Sequence, residues 1–324
     1  MNNSAKTFDV TALGELLVDF TENGTSAQGN PTLEANPGGA PCNVLSMLER
    51  YGRKTAFIGK VGDDGFGHML ATAAEEVGID ISGLKYDPEV HTTLALVVKK
   101  PDGDRDFSFY RHPGADIMLT ADEVDEGLIA NAKIFHFGSL SLTDEPVRSA
   151  THRAIEIAKK NNLLISFDPN LREPLWSTLD EAKEQIDWGM KQSDILKISD
   201  NEITWFTGRD DYDAGIAYLK EHYPNLKLIT LSMGPDGSRA YCGDAFAEVP
   251  AFLQEGTIET TGAGDTFCAS MLDGVLSNGL DLDEKTLKEM LTKANAAASI
   301  VTTRKGALRV MPSTEEIEQL IKSR

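Results

Sequence analysis

Cysteine is scarce in this chain: Cys42, Cys242 and Cys268 are the three thiols among 324 residues. Three scattered thiols build neither a disulfide framework nor a metal cage, so free cysteines are expected. No apolar run approaches the ~20 residues that cross a bilayer. The polar start, residues 1–7, lacks the basic, apolar and small-residue pattern of a secretion signal, which makes a cytoplasmic location the default expectation. Basic residues are also few. Lys and Arg number 31 against 51 Asp and Glu, for a formal net charge of −20. Such a surface repels nucleic-acid backbones and anionic membranes, so neither is expected as a partner. It repels nucleotides too, unless a site supplies its own local positive potential. The acidic excess fits either adaptation to a salty cytoplasm or an acidic cytosolic enzyme, and the salt dependence of stability and activity separates the two.

What is present is an alternation of apolar runs and amphipathic stripes. Runs at 8–13, 55–58, 133–137, 163–167, 195–198 and 228–231 are apolar on both faces, as strands of a covered parallel sheet must be. Between them helical spacing predicts helices over 43–51, 66–77, 146–160, 179–191 and 211–222. The first stripe carries Val44, Met47, Leu48 and Tyr51 and stops at Gly52. This βαβα succession predicts an α/β fold: a three-layer, doubly wound, mostly parallel sheet. Two stretches break the rhythm. Residues 92–100 and 105–111 flank Pro-Asp-Gly-Asp and read as a β-hairpin, and residues 16–36 are extended and poor in helix formers. With no repeat, low-complexity tract or linker, we expect one domain over 1–324 with a small antiparallel β lid inserted at about 16–36 and 90–112.

The richest run is Glu-Thr-Thr-Gly-Ala-Gly-Asp-Thr-Phe at 259–267, followed by an apolar helical pattern. Gly262, Ala263 and Gly264 have almost no side chain, so their amides at a helix start form a cup for an anion. Asp265 at the rim reads as a base that deprotonates a hydroxyl attacking a phosphoryl group. The alternative is a helix-capping Asp. Other phosphate motifs are missing: no Walker A sequence, no protein-kinase set, and Phe267 where a dinucleotide fingerprint needs its third glycine.

The run 260–265 resembles the C-terminal signature of the ribokinase-like (phosphofructokinase B type) carbohydrate kinases. Pro-Gly-Gly-Ala-Pro-Cys-Asn at 37–43 resembles their N-terminal signature. Further matches at 14–19, 61–67, 135–139, 168–172, 231–237 and 304–307 extend the resemblance from about residue 8 to about 312. It implies a sugar and ATP as small-molecule partners, and Mg²⁺ and a monovalent cation such as K⁺ as cofactors. Exposed β edges on a small lid pair readily with a second copy, so a homodimer through the lids is expected.

The resemblance also implies roles for individual residues. Asp19 accepts sugar hydroxyls, Gly38 and Gly39 let the backbone approach the sugar, and Asn43 contacts it or caps the next helix. Period-two spacing puts Phe107, Phe109 and Arg111 on one face of the hairpin, which either closes over the sugar or packs inward. Asp168, Asn170 and Arg172 follow a strand, where open α/β sheets present ligand groups. Arg172 either stabilises the transferring phosphoryl group or makes a structural ion pair. Lys197, Ser232, Gly234, Gly237 and Asn295 fall at nucleotide-side positions, with Asn295 on a helix that is mostly core. Glu202 organises water around Mg²⁺ or sits at a solvated helix start, with Ser199 where relatives carry Asn. Glu259 stands where the family usually has Asp, beside a monovalent-cation site that would include Gly306; weaker or altered K⁺ dependence is expected.

Within the family, 37–43, 168–172 and Lys-Ile-Ser-Asp at 197–200 look most like the fructokinase branch. The 2-keto-3-deoxygluconate kinases, ribokinases and aminoimidazole riboside kinases are the alternatives. A sugar acid would want a cation beyond Arg111. A non-catalytic binding relative and a nicotinamide-dependent oxidoreductase are the other classes weighed. The intact cup with Asp265 argues against the first, and the missing fingerprint against the second.

Overall fold

The computed structural model describes residues 6–99 and 105–324; the Pro-Asp-Gly-Asp turn and the side chain of Phe107 lie outside what is described. In chain order the strands are β1 (Phe8–Leu13), β2 (Leu17–Thr25), β3 (Pro31–Gly38), β4 (Thr55–Gly62), β5 (Asp80–Asp87), β6 (Leu94–Lys99), β7 (Arg105–Tyr110), β8 (Ala132–Gly138), β9 (Leu164–Asp168), β10 (Ile195–Ser199), β11 (Leu228–Ser232), β12 (Ser238–Cys242) and β13 (Ala245–Val249). The helices are α1 (Ala40–Arg50), α2 (Gly65–Glu76), α3 (Glu126–Ala130), α4 (Val147–Lys160), α5 (Leu179–Gln192), α6 (Asp200–Thr207), α7 (Tyr212–His222), α8 (Ala263–Asn278), α9 (Glu284–Val301) and α10 (Thr314–Lys322).

Nine strands form the main sheet, in the order β13-β12-β11-β10-β9-β8-β1-β4-β5. The pairs from β11 to β5 are parallel, and β12 and β13 finish one edge antiparallel. Alternation along each strand feeds two cores. Val10, Ala12, Phe57 and Ile134 face the layer of α1, α2, α8 and α9. Leu13, Ile58, Phe135 and Phe137 face the layer of α4 to α7. From β1 the chain order runs to β4 and β5 on one side and from β8 onward on the other. The crevice beyond the carboxyl ends of β1 and β8 is therefore the switch point at which such sheets bind ligands.

A separate four-stranded sheet, β3-β2-β6-β7, stands over that crevice. Its hairpins β2–β3 and β6–β7 are antiparallel and meet along a parallel β2–β6 pair. The parallel contact follows from β2 and β6 each rising from the same end of the main sheet, after β1 and after β5.

Candidate active site

Helix α8 starts where the Gly-Ala-Gly run predicts. Its N-cap, Gly262, has φ +76°, and a Cβ there would stand 2.7 Å from the Ala307 Cβ, so both backbone and space call for glycine. A Cβ on Gly264 would come 3.3 Å from Lys197 Nζ. The first amides of this 16-residue helix are thus open to an anion, with the helix dipole behind them.

Asp265 lies in the first turn of α8 and is buried. It does not cap the helix. Its Oδ2 accepts a 2.8 Å hydrogen bond from Asn43 Nδ2 in α1. Asn43 in turn is no N-cap: Gly39 holds that position, and Asn43 sits one turn into α1 with Oδ1 buried and unpartnered. Burial pushes the Asp265 carboxyl up, against the pull of Asn43, Lys197 and Arg172. A lifted carboxylate is a stronger base for a hydroxyl proton.

Two cavities meet at this helix start. The smaller, about 220 Å³, is lined by Glu15, Asp19, Gly39, Asn43, Phe109, Leu140, Arg172 and Asp265, among others. The larger, about 650 Å³, is lined by Lys197, Glu202, Ser232, Gly234, Gly237, Ala263 and Asn295, with Trp205, Phe252 and Leu253. Asn170, Arg172, Thr260 and Gly264 border both. A group passing from one cavity to the other passes Gly264 and Arg172.

The small cavity is crowded with acids. Burial lifts Asp19 to about 7, with Arg172 pulling down and Asp265 and Glu259 pushing up. Burial likewise lifts Glu15 to about 7, although its Oε1 accepts the Ala40 amide at 2.7 Å. Gly39, at φ +117°, lets α1 start against this strand end; a Cβ would stand 2.4 Å from the Glu15 carbonyl oxygen. Gly38 does not line the cavity but backs it: a Cβ there would fall 2.2 Å from Asp19 Oδ2.

Several expectations change. Arg111 is not on the hairpin strand, which ends at Tyr110. Its guanidinium turns inward to Asp116, 2.7 Å away, the carboxylate that a buried cation requires as partner. Phe109 does reach the small cavity. Asp168 lines neither cavity. It is buried against Lys197 Nζ, 3.0 Å from Oδ2, with the Asn170 amide on Oδ1; burial raises its carboxyl, while the pairing holds Lys197 charged. Asn295 reaches the large cavity with its amide occupied, accepting from Ser238 Oγ and donating to the carbonyls of Val249 and Pro250.

Glu202 closes a capping box with Ser199. Its oxygens accept the amides of Leu171 and Ser199, each at 2.8 Å, and these bonds with Lys197 hold it low despite burial. No cluster of three acidic, His or Cys side chains suited to a metal occurs among the described residues. This donor set fits Mg²⁺ held by a nucleotide's phosphates with water reaching Glu202, not a cage of side chains. Glu259 is buried and its Oε1 accepts the Gly306 amide at 2.8 Å. A monovalent ion there would share the carboxylate with that amide.

Residues that pattern reading passed over are Glu15, Leu140, Thr260 and Thr261 in the small cavity, and Trp205 and Phe252 in the large one. Glu15 carried a signal, an acid two residues past the end of the apolar strand β1. Phe252 follows β13 in a loop without periodicity and carried none.

An anion cup at a helix start, a buried carboxylate beside a polar pocket and a second cavity sharing the cup define a phosphotransferase of the sugar-kinase type. The pfkB family carbohydrate kinase description matches residues 7–314, and the chain belongs to that family. It is 44% identical to probable fructokinase-7 of Arabidopsis thaliana, over 97% of this chain and 92% of the relative. It is 43% identical to fructokinase-1 of Zea mays, over 96% of this chain and 97% of the relative. Among solved structures, the fructokinase of Xylella fastidiosa with bound ATP superposes with a TM-score of 0.88 at 28% identity, covering 97% of this chain and 98% of that one. A Vibrio cholerae fructokinase double mutant bound to fructose, ADP and potassium ion gives 0.86 at 27% identity, with 98% and 100% covered.

Proposed function

We propose that the chain is a fructokinase that transfers the γ-phosphoryl group of ATP to the 6-hydroxyl of D-fructose. The carrying observation is Asp265, buried and bonded to Asn43, at the border of a small polar cavity and a larger one that share the α8 anion cup. Full-length relatives of 41–44% identity named as fructokinases support the choice of sugar.

In this reading fructose lies in the small cavity, its hydroxyls donating to Asp19 and meeting the unpartnered Oδ1 of Asn43. ATP lies in the large cavity with its γ-phosphate over the amides of Ala263 and Gly264. Asp265 takes the O6 proton as O6 bonds to the γ-phosphorus. The bond from that phosphorus to the bridging oxygen breaks, and ADP leaves. The cup and Arg172 stabilise the charge that develops on the transferring group. Mg²⁺, when bound with the nucleotide, offsets phosphate charge. K⁺ is the ion we place beside Glu259 and Gly306. The lid excludes water, the competing acceptor.

A neutral sugar is favoured over a sugar acid. Glu15, Asp19 and Asp265 line the small cavity against one cation, Arg172, and Arg111 is tied to Asp116, so a sugar carboxylate would find no cation beyond the one placed at the transferring phosphoryl group. No helix among the described residues is long and apolar enough to cross a membrane; we place the enzyme in the cytoplasm as a homodimer joined through its lids. The test is a coupled ATP-consumption assay over fructose, ribose, ketodeoxygluconate, glucose and adenosine, with Asp265→Asn in parallel. Fructose-selective turnover is expected, falling ~10²–10⁴-fold in the variant. Turnover of another sugar, or an undiminished variant, overturns the reading.

A further inference from the structure

Both strands of the β6–β7 hairpin join the body of the protein at one buried polar cluster. β6 is entered through Thr92 and Thr93, and β7 leaves through Arg111. Thr93 Oγ1 donates to Asp116 Oδ1 at 2.5 Å, while its carbonyl accepts the amide of Val18 in β2. Arg111 donates through Nε to Asp116 Oδ2 at 2.8 Å, through Nη1 to Thr143 Oγ1 at 2.9 Å and through Nη2 to the Leu140 carbonyl at 2.9 Å. The Arg111 and Asp116 side chains are each 2% exposed. Even the backbone is fitted to the cluster, since a Cβ on Gly114 would stand 1.7 Å from Thr93 Oγ1.

The cluster touches the small cavity without lining it. Leu140, whose carbonyl takes the guanidinium, is a wall of that cavity, and Phe109, two residues before Arg111, is another. Asp19 lies on β2, which pairs with β6 at Val18–Leu94 and Asp19–Ala95. Two cavity walls that belong to the lid are therefore fixed, through Arg111 and Thr93, to a wall that belongs to the turn leaving β8 of the main sheet. Surface ion pairs could not do this, being weak and mobile. A buried guanidinium bonded through all three of its nitrogens holds a single geometry.

Resting on the sugar-site reading above, we propose that Arg111 is a positioning residue for phosphoryl transfer. With Asp116, Thr93 and Thr143 it locks the lid root, so that Phe109 and Asp19 stand over the sugar and water is kept out. It acts through those residues and touches neither substrate.

The test uses the full chain with Thr143→Val, Thr93→Val, Arg111→Lys and Arg111→Met, assayed for fructose and ATP dependence and for ATP hydrolysis without sugar. The threonine variants keep side-chain shape: Thr93→Val removes the bond to Asp116, and Thr143→Val removes both the bond from Arg111 and the one to the Leu140 carbonyl, so they carry the test if Arg111→Met does not fold. A charge-assisted bond of this kind corresponds to a change of about tenfold or more. The fructose KM is expected to rise by about that factor while the ATP KM stays within about twofold, and hydrolysis without sugar is expected to rise. Arg111→Lys, which keeps the charge but not the fork, should fall between wild type and Arg111→Met. If the folded variants leave the fructose KM unchanged, or raise both KM values alike, the proposal is overturned. If Arg111→Lys changes the preference between fructose and ketodeoxygluconate, the residue contacts substrate and the positioning role is overturned. Absence of turnover in the wild type with fructose, by contrast, refutes the sugar-site reading itself.

Discussion

Acidifying the ligand-free protein from pH about 8.5 to about 6 is expected to stabilise one part of it, against the usual trend. Glu15 is buried, and its folded carboxyl titrates at about 7 against an unfolded value of 4.5. Between those values the folded state binds the extra proton, so its contribution grows as the pH falls and is lost as the pH rises through 7. Across the stated interval such a group takes up roughly nine-tenths of a proton, worth about 1.4 kcal/mol. For a chain of 324 residues that is ~2 °C in Tm. His136 and His152, held below their ordinary value by burial first, oppose it: they favour the unfolded state as the pH falls through 6.5. The difference between wild type and Glu15→Gln cancels the histidines. The Gln carbonyl can still accept the Ala40 amide. Thermal melts of both proteins across this range are the assay, with the wild-type Tm gaining ~2 °C on the variant at the acid end. Parallel pH profiles would refute the buried-acid account. Asp19, also lifted to about 7, has the opposite consequence for binding, because a protonated carboxyl accepts sugar hydroxyls poorly. The fructose KM should therefore rise as the pH falls through 7.

Gly38→Ala places a Cβ 2.2 Å from Asp19 Oδ2 and must displace that carboxylate, so the fructose KM should rise by ~10-fold, with an unchanged KM refuting it. Glu259 is shared with the Gly306 amide, so activation by K⁺ should be weaker in wild type than in Glu259→Asp; equal titrations by initial rate would exclude an effect of the longer side chain. With a net charge of −20, nucleotide association should quicken as salt screens the repulsion, and stopped-flow rates falling with salt would show instead that local cations steer it.

Six of the seven parallel strands were legible because each is dominated by apolar residues, and β1, β8 and β10 fall within a residue of the expected limits; β5, Asp-Ile-Ser-Gly-Leu-Lys-Tyr-Asp, has no such run and was not foreseen. Helix ends marked by glycine or a capping side chain were legible too, as with α8 and α5. The edge hairpin β12–β13 was not foreseen: its outer strand alternates Ala, Phe, Ala, Glu, Val and carries no strong run. Of the site, Asp265 and the cup could be read locally because small residues at a helix start have few other uses. Arg111 could not. Period two places it beside Phe109, and its partners Asp116, Leu140 and Thr143 come from later segments, so only the folded chain shows that the strand has ended. For Asn43 only the helix-cap alternative fails, and the sequence could not decide it, because the residue that takes its amide lies 222 positions downstream.

The small cavity places three carboxyls, Glu15, Asp19 and Asp265, where burial disfavours charge on each. A protein selected for stability alone would replace at least one, since isolated buried charges are costly. A polyol changes that balance. Each hydroxyl that donates to a carboxylate stabilises its ionised form, restoring hydrogen bonds that burial removed. Sugar binding and ionisation of the site are thus coupled. Glu15 has the Ala40 amide as a fixed donor and Asp265 has the Asn43 side chain, which in the proposed reading leaves Asp265 Oδ1 for the hydroxyl that is to lose its proton. On the proposed function, the acids that burial disfavours in the ligand-free fold are the ones that, once a sugar is bound, orient it and place one base against one hydroxyl.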